Sequence, residues 1–232
     1  MGTSWKQAGK AENAAKRGAV ISKLVKEIIV ATKMGDPDPA NNARLRAAVE
    51  AAKKQSVPRD NIERAIKKGA GLLEPVNYDL VTFEGFTPHK VPCIVECLTD
   101  NRNRTSADIR GLFNKGSLGA SGSVNYLFNH IGMVEASNPD NPQDLEDIAI
   151  EVGAQEVEKG EGNSARFMCD KTDLMAVTKA LADKGWQVSA SEFIWVAKDP
   201  IDLPDGIKKE VTDFLNDIDD NDDVHRIFTA LK

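Results

Sequence analysis

The residues best suited to chemistry in this chain are the lysines and arginines of its first third. Residues 1–75 hold 15 Lys and Arg against 8 Asp and Glu, a formal charge of +7. Ammonium and guanidinium groups arranged along helices bind the phosphates of nucleic acids, mostly without regard to base sequence. We expect the phosphate contacts to come from these side chains: Lys16, Arg17, Lys23, Lys26, Arg44, Arg46, Lys53, Lys54, Arg59, Lys67 and Lys68.

The rest of the chain carries the opposite charge. Residues 76–232 hold 15 Lys and Arg against 28 Asp and Glu, so this part sums to −13 and the whole chain to −6. A body of that charge repels polyanions. The asymmetry therefore predicts a polyanion-binding end attached to a body that avoids nucleic acid.

A second candidate anion site lies in the polar run Asp100-Asn101-Arg102-Asn103-Arg104-Thr105. A helix is expected to start just after this run, and a helix N-terminus with the guanidinium groups of Arg102 and Arg104 suits a phosphate or carboxylate. The alternative is a capped turn whose arginines pair with acidic neighbours. Candidate partners are Glu84, Glu96 and Asp108. The sequence leaves both interpretations open.

Two further runs resemble ligand loops without matching them. The glycine-rich segment 116–123 lies between a helix and a strand, whereas a phosphate-binding loop runs from strand to helix. It is expected to be a tight connection. The acidic run 217–223 fails as a calcium loop, because Asp222 stands where glycine must turn the chain and Phe228 stands where a bidentate Glu belongs. We expect a solvated acidic turn there.

No pattern typical of an enzyme, a metal site or a membrane protein is found. The histidines are isolated from one another and from the cysteines, and no Ser or Cys lies in a nucleophile-elbow pattern. No apolar run approaches the roughly 18 residues of a membrane helix. The sequence thus predicts a cytoplasmic protein without catalytic activity, metal or cofactor. The three cysteines are expected to be small buried hydrophobic residues: Cys93, Cys97 and Cys169.

Helices must position the cations of the first third. Apolar residues at helical spacing predict a first helix over 10–34, and a second helix should begin near Pro39 or Ala40. A third helix should open at Pro58 and end at Gly69. On the second helix, the basic side chains are expected to point outward: Arg44, Arg46, Lys53 and Lys54.

The remaining chain predicts two α/β lobes. Residues 131–199 have the order βαββαβ, which is that of a ferredoxin-like unit. On either side, 76–130 predict two strands, a helix over 106–115 and a strand over 123–128, and 200–232 predict a helix and a final strand. We expect these flanking segments to form one lobe, into which the ferredoxin-like lobe is inserted. The fold class is therefore α+β, with a helical domain over 1–75 followed by two α/β lobes.

Several motifs resemble those of the YebC/PmpR family, over nearly the whole chain. They are Asp36-Pro37-Asp38-Pro39 with Arg44-Leu45-Arg46, Val57-Pro58-Arg59-Asp60-Asn61-Ile62, Glu84-Gly85, the run from Glu96 to Thr105, and Gly122-Ser123-Val124. The start, Gly2-Thr3-Ser4-Trp5-Lys6, departs from the usual opening of the family, so the chain looks like a divergent member. The resemblance implies three lobes and a cytoplasmic, DNA-binding transcriptional regulator.

Three functions remain open on the sequence. The first is the transcriptional regulator that binds DNA. The second, which the resemblance also implies for some members, is a ribosome-associated translation factor, with its basic domain on ribosomal RNA and its acidic lobes on proteins. The third is a protein-interaction scaffold whose basic helices are merely a solvated surface.

Overall fold

The computed structural model describes residues 4–74, 77–138, 144–160 and 162–232. The N-terminal lobe consists of three helices, α1 (Ser4–Met34), α2 (Ala43–Lys54) and α3 (Arg59–Gly69). Their apolar faces meet in one buried cluster that includes Ile28 and Leu45. The three-helix prediction is confirmed.

The start of α2 differs from the expected position near Pro39 or Ala40. The side chain of Asn42 accepts a hydrogen bond from the backbone N–H of Leu45 at 3.0 Å, which places the N-cap at Asn42. An Asn cap satisfies a backbone donor that the first turn leaves without a partner. Asn42 also donates to the carbonyl of Ala31 at 2.9 Å, so the same side chain fixes α2 against the end of α1.

The next segment begins the first sheet. It forms β1 (Asp79–Phe86), β2 (Pro92–Thr99), α4 (Arg102–Leu112) and the two-residue strand β3 (Ser117–Leu118). The expected strand over 123–128 is wrong, because residues 125–127 form a 3-10 turn.

The Glu84 carboxylate explains that difference. It accepts hydrogen bonds from the backbone N–H groups of Gly122 (2.7 Å), Val124 (2.8 Å) and Asn125 (2.9 Å). Amides that donate to a side chain are not available to a β-ladder. The glycine-rich connection predicted at 116–123 is tight as expected, since a Cβ at Gly116 would lie 2.5 Å from the carbonyl oxygen of Phe86.

We expect Glu84→Gln to lower the free energy of unfolding by about 2 kcal/mol, because an amide replaces a buried charged acceptor of three hydrogen bonds. Burial alone would raise the pKa of Glu84, but the three amide donors hold it below its usual value. The stabilisation is therefore present above the unfolded-state pKa and is lost as the pH falls through the folded-state pKa. Urea unfolding at neutral pH measures the effect. Glu50→Gln, at an exposed position, serves as control and should change little.

The inserted lobe follows. It forms β4 (Phe128–Ser137), α5 (Leu145–Val152), β5 (Glu156–Lys159), β6 (Ser164–Cys169), α6 (Leu174–Asp183) and β7 (Gln187–Ala197). Its antiparallel sheet has the order β5-β6-β4-β7, and both helices pack on one face of it around Phe167 and Leu181. The βαββαβ order and this strand order together confirm the ferredoxin-like prediction.

The chain then returns to the first sheet. After α7 (Asp205–Asp219), β8 (Val224–Thr229) pairs antiparallel with β2, which completes the order β3-β1-β2-β8. The helices α4 and α7 cover one face through Ile109 and Phe214, together with Phe113 in the turn after α4. The predicted α+β class and the insertion of one lobe into the other are thus confirmed. In the described ranges, no helix combines the length and apolar character that crossing a bilayer requires.

Candidate nucleic-acid interface

Four lysines form the most available cationic surface of the helical lobe, which we call the open lysines. Lys53 and Lys54 lie in the last turn of α2, and Lys67 and Lys68 lie in the last turn of α3. The first three are exposed and Lys68 is partly exposed. Within the described part of the chain, none of the four forms an ion pair. Helix α3 begins shortly after the end of α2, and Lys67 and Lys68 lie at its far end. Because α3 has 11 residues and a length of about 16 Å, the two lysine pairs can contact different phosphates.

Arg46 and Arg59 are exposed as well, but both have local partners. The Arg46 guanidinium donates to the carbonyl oxygens of Pro39 (3.1 Å) and Ala40 (3.3 Å), and so holds the turn before α2. Arg59 Nε lies 2.7 Å from Glu63 Oε1, one helical turn away. An exposed pair of this kind contributes at most a few tenths of a kcal/mol, so a phosphate can displace it.

Two lysines of α1 are already held by carboxylates of the acidic body. Lys26 Nζ lies 2.6 Å from Asp223 Oδ1, and Lys23 Nζ lies 3.0 Å from Asp219 Oδ1. The Lys26 side chain is only 12% exposed and also donates to the carbonyl oxygen of Asp222 at 3.0 Å. Oxygen atoms at the end of α7 and in the turn after it thus bind the ammonium groups of both lysines, so these lysines are not available to phosphates.

The carboxylate of Asp223 is the centre of this contact. It accepts hydrogen bonds from Lys26 (2.6 Å), from Thr105 Oγ1 (2.8 Å) and from Arg104 Nη2 (3.0 Å), and its side chain is 6% exposed. The expectation of a solvated acidic turn is therefore wrong at Asp223. Because α1, α4 and the start of β8 all meet at this carboxylate, it joins the helical lobe to the body.

Arg44 does not point outward as expected. Its guanidinium forms a two-point contact with the Glu27 carboxylate, with Nε to Oε1 at 2.7 Å and Nη2 to Oε2 at 3.2 Å. Planar, paired hydrogen bonds of this type are the strongest arrangement for arginine and a carboxylate. The partner lies on α1, so Arg44 ties α2 to α1.

The Glu27 carboxylate lies at a junction of all three lobes. His225 Nε2 of β8 is 3.2 Å from Glu27 Oε2, and the neighbouring Arg226 pairs with Glu192 of β7. On the same sheet, Glu96 accepts a hydrogen bond from Trp195 Nε1 at 3.2 Å. Charged and polar side chains thus bridge the helical lobe, the first sheet and the inserted lobe.

Burial is the largest influence on His225 and lowers its pKa. The Glu27 carboxylate raises the pKa of His225, whereas the charges of Arg226 and Arg44 lower it. The resulting pKa of His225 is about 4. His225 is therefore neutral at pH 7. An unfolded histidine has a pKa near 6.5, so between the two values the unfolded state binds more protons than the folded state.

We expect His225 to make the protein less stable as the pH falls from 7.5 to 5. A pKa of about 4 in the folded state corresponds to a loss of about 2 kcal/mol over that range. His225→Gln should remove this share of the pH dependence, whereas His89→Gln, at a partly exposed histidine, should leave it in place. Urea unfolding at several pH values provides the measurement, and equal pH profiles for wild type and His225→Gln would contradict the assignment.

The predicted second anion site is a capped turn with paired arginines. Asn101 caps α4 by accepting from the backbone N–H of Arg104 at 3.1 Å. Arg102 Nε lies 2.9 Å from Asp79 Oδ2, and Arg104 pairs with Asp223 and with Asp100, both at 3.0 Å. The partners differ from the expected Glu84, Glu96 and Asp108. Both arginines keep half or more of their side-chain surface exposed, so anion binding there stays a prediction.

Lys16 and Arg17 lie within α1, but their side chains are outside the described part of the structure. Sequence analysis missed Arg64, which is exposed on α3 and belongs to the same basic surface. Its type and helix position were visible in the sequence. It also missed the docking roles of Asp223 and Glu27, for which the sequence carries no signal.

The described residues contain no cluster of His, Cys, Asp and Glu that could hold a metal ion. The three cysteines are buried as predicted, and burial raises the pKa of Cys93 and Cys97 to about 12. A thiol with that pKa is protonated at neutral pH and does not act as a nucleophile.

Comparison with known proteins covers the whole chain. Residues 2–72 match the model of the TACO1/YebC protein N-terminal domain, and residues 78–231 match the TACO1/YebC second and third domain. A protein of Pseudomonas fluorescens is 52% identical over 234 residues, with 100% of this chain and 99% of that protein covered. One of Bdellovibrio bacteriovorus is 47% identical, with full coverage of both chains. Both bear the name "Probable transcriptional regulatory protein".

A solved structure has the same fold. The crystal structure of a conserved hypothetical protein from Aquifex aeolicus superposes with a TM-score of 0.76 at 39% identity, covering 94% of this chain and 90% of that one. The resemblance noted from the motifs is confirmed by these matches.

Proposed function

Because the chain belongs to the TACO1/YebC family, we propose that it is a non-enzymatic regulatory protein that binds nucleic acid through the outer surface of α2 and α3. The relatives named as transcriptional regulators support a regulatory role. DNA is the proposed partner, and the cytoplasm is the proposed location. No cofactor is needed for this activity.

The division of the cations into two groups carries the proposal. Lys23 and Lys26 have carboxylate partners on the acidic body and hold the two lobes together, whereas Arg44 pairs with Glu27 within the helical lobe. The open lysines have no such partner among the described residues and face solvent. A cation without a protein partner can neutralise a phosphate without first breaking a contact, so the open lysines are the proposed centre of the interface, with Arg46, Arg59 and Arg64 beside them.

The proposed binding depends on the phosphate backbone more than on bases. Lysines supply point charges that position a protein on a duplex, whereas base readout relies mainly on Arg, Asn and Gln in a groove. If about four to six phosphates are neutralised, log affinity should fall against log salt with a slope of about −4 to −5. The same surface fits ribosomal RNA, which is the second proposed partner.

Titration of the purified protein with a labelled DNA duplex and a structured RNA, each at two salt concentrations, tests the proposal. Salt-sensitive binding to at least one of them is expected. Absent or salt-insensitive binding to both contradicts it, and would leave the open lysines as cations that only stabilise the C-terminal ends of two helices. Sedimentation of a cell extract separates the partners, because a translation factor migrates with ribosomes and a DNA-bound regulator does not.

A further inference from the structure

A cluster of three aromatic rings lies on strands β4 and β7 of the inserted lobe, and β7 is also the strand that contacts α2. His130 of β4 faces Trp195 of β7 in the strand register, and their rings are stacked with centroids 4.0 Å apart and planes 10° apart. Phe193 meets the same imidazole edge-on, with centroids 5.9 Å apart. Two adjacent strands thus display three rings in a row.

The Phe193 ring is open to solvent. It is 47% exposed, although Leu174 of α6 packs over Gly132, the residue opposite Phe193 in the register. On its other side β7 is the edge strand of its sheet, so no further strand supplies a neighbour. An exposed aromatic ring beside two others offers a flat apolar face on which a planar ligand can stack.

A cation lies beside the rings. Lys171 Nζ is 3.2 Å from His130 Nδ1, and Lys171 is exposed. Burial and this lysine lower the pKa of His130, which keeps the imidazole neutral and able to accept the hydrogen bond. The nearby Asp170 carboxylate is engaged by Gln155 Nε2 at 2.9 Å. The local combination is therefore an apolar ring face next to an available positive charge.

We propose that the ring cluster of His130, Phe193 and Trp195 is a stacking site for an unpaired base of single-stranded nucleic acid, with Lys171 placed for the adjoining phosphate. Every base has a flat face that stacks on Phe, Trp or His, and the phosphate next to it needs a cation. In a duplex those faces are covered by neighbouring base pairs, so the site selects single strands. This places a second nucleic-acid contact on the acidic body, which its charge predicted to avoid nucleic acid, and it does not depend on the open lysines.

The test compares two single strands that differ only in their bases. An oligodeoxyadenylate and an abasic oligonucleotide of equal length, each about 10 nucleotides, are titrated with wild type, Phe193→Leu and Phe193→Trp by fluorescence anisotropy. Phe193→Leu should weaken adenylate binding roughly tenfold, within the range for loss of one stacked base. It should leave abasic binding unchanged, and Phe193→Trp should restore adenylate binding. Ile150→Ala removes an exposed apolar side chain of the same lobe and should have no effect.

Two results would overturn the proposal. One is equal adenylate affinity for wild type and Phe193→Leu, and the other is an equal loss for adenylate and abasic strands. If wild type binds a duplex in a salt-dependent way but no adenylate strand, the stacking site alone is wrong. If duplex binding fails, but Phe193→Leu still weakens binding of the adenylate strand and not of the abasic strand, the basic-helix proposal alone is wrong.

Discussion

Replacing the open lysines by glutamine, as Lys53→Gln, Lys54→Gln, Lys67→Gln and Lys68→Gln together, should abolish most nucleic-acid binding at moderate salt. Each lysine that neutralises a phosphate releases about one counterion, so the slope of log affinity against log salt should become shallower by about 3 to 4. These residues are exposed or partly exposed, so the variant should stay folded and lose only about 0.3 kcal/mol of stability per lysine removed from a helix C-terminus. Anisotropy titrations over a range of salt concentrations measure the slope.

A matched control removes the same charge from the acidic body. Lys115, Lys159, Lys179 and Lys209 are exposed lysines outside the helical lobe, and their joint replacement by glutamine changes the net charge equally. It should reduce affinity only slightly, because the added long-range repulsion is screened by salt. Equal losses in the two variants would show that net charge, and not the surface of α2 and α3, governs binding.

Asp223→Ala should lower the free energy of unfolding by about 3 kcal/mol. Removing one partner of a buried ion pair leaves the other without a counter-charge. Here the Lys26 ammonium keeps only carbonyl acceptors, and the Thr105 hydroxyl loses its charged acceptor. Asp222→Asn removes the same charge one position earlier, at an exposed side chain, and should cost little. Urea unfolding followed by circular dichroism compares the two variants.

The Asp223 contribution also has a defined pH dependence. Burial alone would raise the pKa of Asp223, but hydrogen bonds from Lys26, Thr105 and Arg104 lower it below its usual value. The folded state therefore favours the carboxylate, and the contribution is fully present above the unfolded-state pKa near 3.9. It is lost as the pH falls through the folded-state pKa. A stability difference between wild type and Asp223→Ala that stays constant into strong acid would contradict this account.

Local patterns in the sequence predicted most of the fold. Helical spacing of apolar residues identified α1, α2 and α3, and the order βαββαβ identified the ferredoxin-like lobe together with its insertion. The errors occurred where a side chain overrides a local pattern. Asn42 moves the start of α2 by its cap, and Glu84 takes the amides of a segment that otherwise resembles a strand. The residue bounds of the three lobes stay predictions.

The division of the cations could not be predicted. Lys23 and Asp219 are 196 positions apart, and no local pattern connects them. Arg44 and Lys53 lie at the two opposite edges of the apolar face of α2, yet Arg44 is tied to Glu27 and Lys53 is exposed. Charge composition therefore predicted a polyanion-binding lobe, whereas only tertiary packing, both within that lobe and against the acidic body, separates the cations held by carboxylates from the available ones.

The most direct test of this division is lysine acetylation measured residue by residue with mass spectrometry, on the free protein and on its complex with a duplex or a structured RNA. Lys23 and Lys26, whose side chains are 21% and 12% exposed, should react slowly in both states. Lys53, Lys54, Lys67 and Lys68 should react readily in the free protein and become protected in the complex. Unchanged reactivity of these four in a saturated complex, or protection that instead appears only at Lys23 and Lys26, would contradict the proposed interface.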